Sequence, residues 1–156
     1  MEINVWDGNI PAAGPPLFRE ELYKLDQLMI DQSWSVDAWN GVWQTPNNYL
    51  LATLSPIIGF ALFLRSPTEK LGHLLKVVIL PEYRSQGLAE KLLRTSFEVL
   101  GQQGLDRIYL EVACNNLAAI GLYHKLGMKQ INYCKNFYGP QQDAYKMMLV
   151  KIVMAE

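Results

Sequence analysis

The chain has 156 residues, half of them apolar and about a fifth charged, with a formal net charge of −1. That length suits one globular domain over residues 1–156 rather than two, and the near-neutral balance argues against a nucleic-acid partner. Two cysteines are too few for a disulfide framework or a four-ligand zinc site, no apolar run approaches the ~20 residues of a membrane span, and no signal peptide is read; a soluble protein of a reducing cytoplasm is expected.

The chain opens on a short alternating piece, Ile3 to Trp6, and passes into a loop composition with Gly8, Pro11, Gly14, Pro15 and Pro16. Leu17, Leu22, Leu25, Leu28 and Met29 form a rough helical stripe, so a first helix is predicted over Leu17 to Met29. Ser35 is placed to cap a second short helix ending near Trp43. Trp34, Trp39 and Trp43 serve either as core packing or as a wall for a ligand, and packing is favoured. Tyr49 to Thr53 and Ile57 to Leu64 read as a hairpin interrupted by Ser55-Pro56. Ser66 to Lys70 is the next turn.

Leu74 to Leu80 is apolar except for Lys76 and reads as a buried strand, which Pro81 stops. Arg84-Ser85-Gln86-Gly87-Leu88-Ala89 follows, and then a helix from Leu88 to Leu100 closing at Gly101 or Gly104. A turn of small residues between a strand and a helix leaves the first helical N–H groups without partners. With the positive end of the helix dipole they form an anion site, and Gly87 lets a phosphate approach the backbone. It is neither a Walker loop nor a Gly-x-Gly-x-x-Gly fingerprint.

Arg107 to Val112 is predicted as a strand, Asn116 to Leu126 as a helix closed by Gly127, and Cys134 to Tyr138 and Ala144 to Val153 as two strands around Gly139-Pro140. The order α, α, β, β, β, α, β, α, β, β gives an α/β class with one mixed sheet and helices on both faces. Glu111 stands inside a strand between apolar neighbours, where burial is expected to raise its pKa and make it a candidate general base; a sheet-surface glutamate facing water is the alternative. Tyr123 is singled out on the helix that follows, where a buried phenol usually finds a partner for its hydroxyl; on the residues alone it reads as a packed helix tyrosine. His73 and His124 are far apart and lack acidic or cysteine neighbours, so no metal site is expected. His73 is read as structural, with assistance to proton transfer as the other reading.

The run Val-x-x-Pro-x-x-Arg-x-x-Gly-x-Ala, followed in order by LEVACNN, AIGLY, KLGM and NFYGPQQDAYKMML, resembles the GNAT family of acetyltransferases. Within it the chain is similar to the protein N-terminal acetyltransferases, above all the bacterial RimI enzymes that modify a ribosomal protein. The resemblance covers about residues 30–150.

It implies a GNAT fold, a mostly antiparallel sheet whose central strand pair splays apart, and acetyl-CoA as donor. It further implies Glu111 as the base that takes the amine proton and Tyr123 as the acid toward the leaving thiolate. Asn116 would help hold the cofactor together with Tyr123. Backbone N–H groups of Arg84, Ser85, Gln86, Gly87, Leu88 and Ala89 would cradle its pyrophosphate. Val77, Val78 and Ile79 would hold the pantetheine arm. Phe137 and Tyr138 would grip the peptide, Tyr138 alone keeping a hydroxyl, with Trp34 assigned to the same substrate side.

The expected acceptor is a protein or peptide N-terminus, with a ribosomal protein as one candidate, and the expected state is a monomer or weak homodimer. Two rivals stand beside this reading: a GNAT acting on a small amine such as a polyamine, an amino acid or an antibiotic, and a non-catalytic acyl-CoA-binding module.

Overall fold

The computed structural model describes residues 1–7, 18–29 and 32–152. The loop read over Gly8 to Pro16, Leu17 in the first helix and Val153 in the last strand lie outside these residues. Glu2–Asp7 forms β1, Phe18–Asp26 α1, Val36–Gln44 α2, Tyr49–Ser55 β2 and Gly59–Ser66 β3. Leu71–Ile79 forms β4, Leu88–Gln102 α3, Arg107–Ala113 β5, Leu117–Lys125 α4, Lys129–Gly139 β6 and Gln142–Leu149 β7. Among the described residues no helix is long and apolar enough to cross a membrane.

The seven strands make one sheet in the order β1-β2-β3-β4-β5-β7-β6. Every neighbouring pair is antiparallel except β4 and β5. A parallel pair cannot be closed by a hairpin, so the chain crosses over through α3 between them.

Helices cover both faces. On one, Phe18, Leu22 and Leu25 of α1 and Trp39 and Val42 of α2 pack against Leu51, Phe60, Leu62 and Val78. On the other, Leu92, Leu93, Phe97 and Leu100 of α3 and Tyr123 of α4 pack against Leu50, Ala52, Phe63, Ile108 and Leu110. Each large side chain taken out of water contributes about 1.5–3 kcal/mol. The tryptophans are chiefly packing: Trp39 is buried, stacked on Trp43 at 5.4 Å and against Trp34 at 5.4 Å. Ser35 caps α2 as predicted, its hydroxyl accepting the Ala38 N–H at 3.1 Å.

Several boundaries differ from the sequence reading. The alternating piece at the start is a full edge strand, β1, paired with β2 from Glu2↔Ser55 to Asp7↔Leu50. The second strand of the hairpin begins at Gly59, because Ile57 and Ile58 belong to the turn. β6 begins at Lys129, five residues before the predicted Cys134. Lys129 to Tyr133 is exposed throughout, and Ile131 and Tyr133 alone alternate there, too short an apolar pattern to mark the start of this outermost strand. β7 runs from Gln142 and ends at Leu149.

Two departures from regularity open the sheet. β4 and β5 pair only at Leu71↔Arg107, Gly72↔Ile108 and His73↔Tyr109, and beyond His73 the strands part. At that point β4 also bulges. Leu62 faces Lys76 and Phe63 faces Leu74, leaving Leu75 as the extra residue. A bulge bends its strand and sharpens its twist. The result is the splayed central pair: beyond His73 the β5-facing edge of β4 has no strand partner among the described residues, while its other edge stays paired with β3.

Candidate active site

The turn after β4 has the features of an anion cradle. A single 3-10 turn, Pro81–Tyr83, leads from β4 into it. Ser85 and Gly87 have left-handed backbones, φ 63° and 75°, and Gly87 is the N-cap of α3 without a side-chain cap. The Arg84 amide donates to the Pro81 carbonyl at 3.2 Å, and its Nε donates to the Ile79 carbonyl at 2.8 Å. Arg84 therefore braces the turn rather than offering its own N–H. The amides of Ser85, Gln86, Gly87, Leu88 and Ala89 donate to no carbonyl or side chain among the described residues. Five free amides on a concave turn at the positive end of a 15-residue helix fit a diphosphate. A Cβ built on Gly87 would meet nothing within 4 Å, so the approach is open.

At the fork of the splay stands Glu111. Its strand alternates, with Ile108, Leu110 and Val112 in the core and Tyr109, Glu111 and Ala113 on the opposite side. The carboxylate Oε2 lies 2.7 Å from His73 Nε2, with side-chain exposures of 16% and 28%. A carboxylate only accepts, so His73 presents Nε2–H, and Nδ1 is left as the second nitrogen.

The sequence reading expected the Glu111 pKa to rise. Burial does push it up, but the hydrogen bond and charge of His73 outweigh it, with help from Tyr109 and Lys146, and the net direction is down. This is a correction. The carboxyl is not isolated: the parallel register brings His73 of β4 beside it from 38 residues away.

Tyr123 on α4 is buried, and burial, then the field of Tyr138, pushes its hydroxyl well above the ordinary tyrosine range. Tyr138 is raised to about 12 by burial, then by Glu111 and Cys114. These shared fields tie Glu111 to Tyr138 and Tyr138 to Tyr123 in one neighbourhood.

Tyr138 is placed by a wide bulge in β6. Cys134 faces Ala144 and Gly139 faces Gln142, so residues 135–138 stand outside the ladder opposite Asp143 alone. Asp143 holds the bulge. Its carboxylate accepts the Asn136 N–H at 2.8 Å and the Tyr133 hydroxyl, while the Asn136 side chain accepts the Gln141 N–H at 2.8 Å. Asn136 itself adopts φ 56°, a left-handed conformation that asparagine tolerates better than most residues. Phe137 on the same bulge is 45% exposed.

Asn116 is the N-cap of α4, its side chain accepting the Ala119 N–H at 3.2 Å, and its exposed amide remains at the mouth of the splay. A cavity of about 500 Å³ lies over the end of β5, lined by Gln32, Cys114, Asn115, Asn116, Tyr138 and Asp143 among others. Trp34 lies two residues beyond Gln32 but is not among its lining residues. The sheet thus carries a turn of free amides at one end of the splay, a His-bound carboxylate near the fork, and a polar cavity over the end of β5 that Glu111 itself does not line.

Residues 17–128 match the model of the acetyltransferase (GNAT) family. The chain belongs to this family.

Among relatives, the N-alpha-acetyltransferase of Sulfurisphaera tokodaii is 35% identical over 91 residues, 57% of this chain and 54% of that protein. The chain spans about half the length of the curated relatives it matches. Among solved structures, the ribosomal protein bS18-alanine N-acetyltransferase of Escherichia coli shares the GNAT fold at a TM-score of 0.76 and 23% identity, over 99% of this chain and 97% of that one. The NatC complex bound to Gag peptide and CoA matches at 0.80 and 21%, over 96% and 99%. The same GNAT fold appears in a spermidine N-acetyltransferase of Vibrio cholerae, at 0.75 and 17% identity, over 96% and 95%.

Sequence reasoning missed three parts of this GNAT site. The His73–Glu111 contact depends on a register no local pattern shows. The Asp143–Asn136 brace depends on a bulge. Gln32 and Asn115 enter the cavity from loops, where polar residues carry no distinguishing period.

Proposed function

We propose that this chain is an acetyl-CoA-dependent N-acetyltransferase whose acceptor is the α-amine of a protein N-terminus, after the manner of the RimI-like enzymes and with a ribosomal protein as a candidate substrate. The observation that carries the reading is the splay itself. Glu111, charged and held by His73, stands beside the unpaired β4 edge that leads from the turn of free amides, and Ala113, two residues further along the same face of β5, lines the open polar cavity.

When bound, acetyl-CoA supplies an activated thioester. The amides of Ser85 to Ala89 bind its diphosphate. The free edge of β4 at Val77, Val78 and Ile79 takes the pantetheine arm and directs an N–H at the thioester carbonyl, where the negative charge develops. Asn116 borders the arm on the α4 side. Tyr138 and Phe137 close on the peptide backbone, with Gln32 and the segment running to Trp34 facing them.

The amine attacks the carbonyl directly, so no nucleophilic cysteine is needed. An α-amine of pKa ~8 yields its neutral form at pH 7 for about 1 kcal/mol, against about 4–5 kcal/mol for a lysine of pKa ~10.4. A carboxylate whose pKa is held down is a weak base, yet sufficient for so small a demand. Glu111 accepts the proton, and its bond to His73 keeps it ionised and oriented. Tyr123, kept neutral by burial, retains a proton for the departing sulfur.

The neighbouring spermidine enzyme makes a small polycationic amine the second reading. The cavity argues for a peptide: Asp143 is the sole carboxylate among its described lining residues, where a polyamine calls for several. Thiol release from acetyl-CoA with a panel of peptides and polyamines decides between them. Peptide turnover reduced at least tenfold by Glu111→Gln and by Tyr123→Phe supports the assignment. Turnover on polyamines alone favours the second reading. Acetyl-CoA binding without turnover on any amine makes the chain a binding module.

A further inference from the structure

The one charged residue in β4 beyond His73 is Lys76, and it is 2% exposed. Two charges withdrawn from water are costly unless paired and hydrogen-bonded. Here they are paired, and every polar atom but Asp26 Oδ1, which has the ion contact alone, also has a hydrogen bond. Lys76 Nζ lies 2.7 Å from Asp26 Oδ1, donates to the Gln32 carbonyl at 2.6 Å, and sits 4.7 Å above the Trp34 ring. Asp26, wholly buried at the end of α1, uses its other oxygen to accept the Trp34 N–H at 2.9 Å and Trp39 Nε1 at 2.7 Å.

The bulge at Leu75 makes this possible. Regular alternation after Leu74 and Leu75 would send Lys76 toward α3; the extra residue turns it to the α1–α2 face.

The clamp joins two halves of the cleft. Its strand end immediately precedes Val77 to Ile79, the segment assigned to the donor arm. Its loop end is Gln32 to Trp34, and Gln32 lines the acceptor cavity. Apolar packing alone would hold α1 against the sheet; it does not explain a main-chain carbonyl and a main-chain N–H of one three-residue segment both bound to the same ion pair.

We propose that Lys76 is a positioning residue for acetyl transfer: with Asp26 it fixes the Gln32–Trp34 wall relative to the donor strand and so sets the geometry with which the acceptor is presented. This rests on the acetyltransferase reading above.

The test replaces both charges at once. Lys76→Met with Asp26→Asn leaves no unpaired charge and keeps a side-chain oxygen for the two tryptophan donors. Thermal midpoint, KM for acetyl-CoA and KM for the acceptor are measured on the same preparation, with whichever amine the wild-type protein turns over. The expected result is a near-unchanged midpoint, an acetyl-CoA KM within twofold and an acceptor KM raised at least tenfold.

Wild-type KM values for both substrates in the folded double variant would make the pair purely structural and overturn the proposal. So would an equal rise in both. If the double variant does not fold, Lys76→Arg carries the test. It keeps charge and stem, but its larger planar head displaces the wall, and an acceptor KM raised at least threefold with acetyl-CoA KM unchanged is expected; no change overturns the proposal. Wild-type turnover on peptides tests the N-terminal reading separately, so the two ideas fail independently.

Discussion

Replacing Gly87 by alanine isolates the cradle from the rest of the fold, because a second glycine serves as its control. Gly87 and Gly104 adopt nearly the same left-handed backbone, φ +75° and +88°, and a Cβ at either would meet nothing within 4 Å. For both, then, the folding cost is the backbone term alone, about 1–2 kcal/mol for an L residue in that region. At about 2–4 °C per kcal/mol for a chain of this size, each variant loses about 2–8 °C in Tm.

Only Gly87 borders the five free amides. A methyl group there holds a diphosphate away from at least one of them, and a hydrogen bond to a charged group is worth about 1.5–3 kcal/mol. The expected rise in Kd for coenzyme A is therefore about tenfold to a hundredfold in Gly87→Ala, and none in Gly104→Ala. Calorimetric titration with coenzyme A, beside thermal melts of the unliganded proteins, reads both quantities. Equal coenzyme A affinity in the two variants would refute the assignment of the Ser85–Ala89 amides to the diphosphate.

Three further outcomes follow from particular contacts. The kcat/KM of thiol release is expected to rise with pH and level off near pH ~8, following the acceptor α-amine. Glu111, held down by His73, titrates below that limb, and Tyr123, pushed up by burial, adds no falling limb before pH ~10. An acid limb at neutral pH that disappears in Glu111→Gln would contradict this.

Gly59→Ala places a Cβ 2.7 Å from Ile79 Cδ1 and 2.9 Å from the Val78 carbonyl oxygen, a backbone atom of the strand proposed to take the donor arm. Overpacking of this kind costs about 1–3 kcal/mol. Both a lower Tm and a higher acetyl-CoA KM are expected, and a wild-type KM would show that the strand does not bear on the donor. Asn136→Ala removes the acceptor of the Gln141 N–H and strains the left-handed backbone of the bulge. Acceptor KM is expected to rise several-fold with acetyl-CoA KM unchanged; a reversed pattern would move Tyr138 off the acceptor side.

How much of this was legible in the sequence depended on how local the cause was. The turn from Pro81 to Ala89 and the helix after it are written in adjacent residues, and the structure has them where the spacing puts them. Ser35 and Asn116 cap their helices for the same reason. β1 and the first half of β6 were under-read because their alternation is short, and the length of an edge strand is set by the neighbour it pairs with. Glu111 was singled out by its place in an apolar strand, but the direction of its pKa was not legible, since the opposing partner arrives through a three-residue parallel ladder. Lys76 was visible as a charge in an apolar strand, yet nothing local named Asp26, 50 positions earlier, as its partner.

The most direct test of the central claim is the location of the transferred acetyl group. A peptide carrying both a free α-amine and an internal lysine is incubated with acetyl-CoA and this protein, and the product is fragmented in a mass spectrometer. Acetyl on the α-amine, lost with Glu111→Gln, is the predicted result; acetyl on the lysine, or undiminished transfer by the variant, would contradict it.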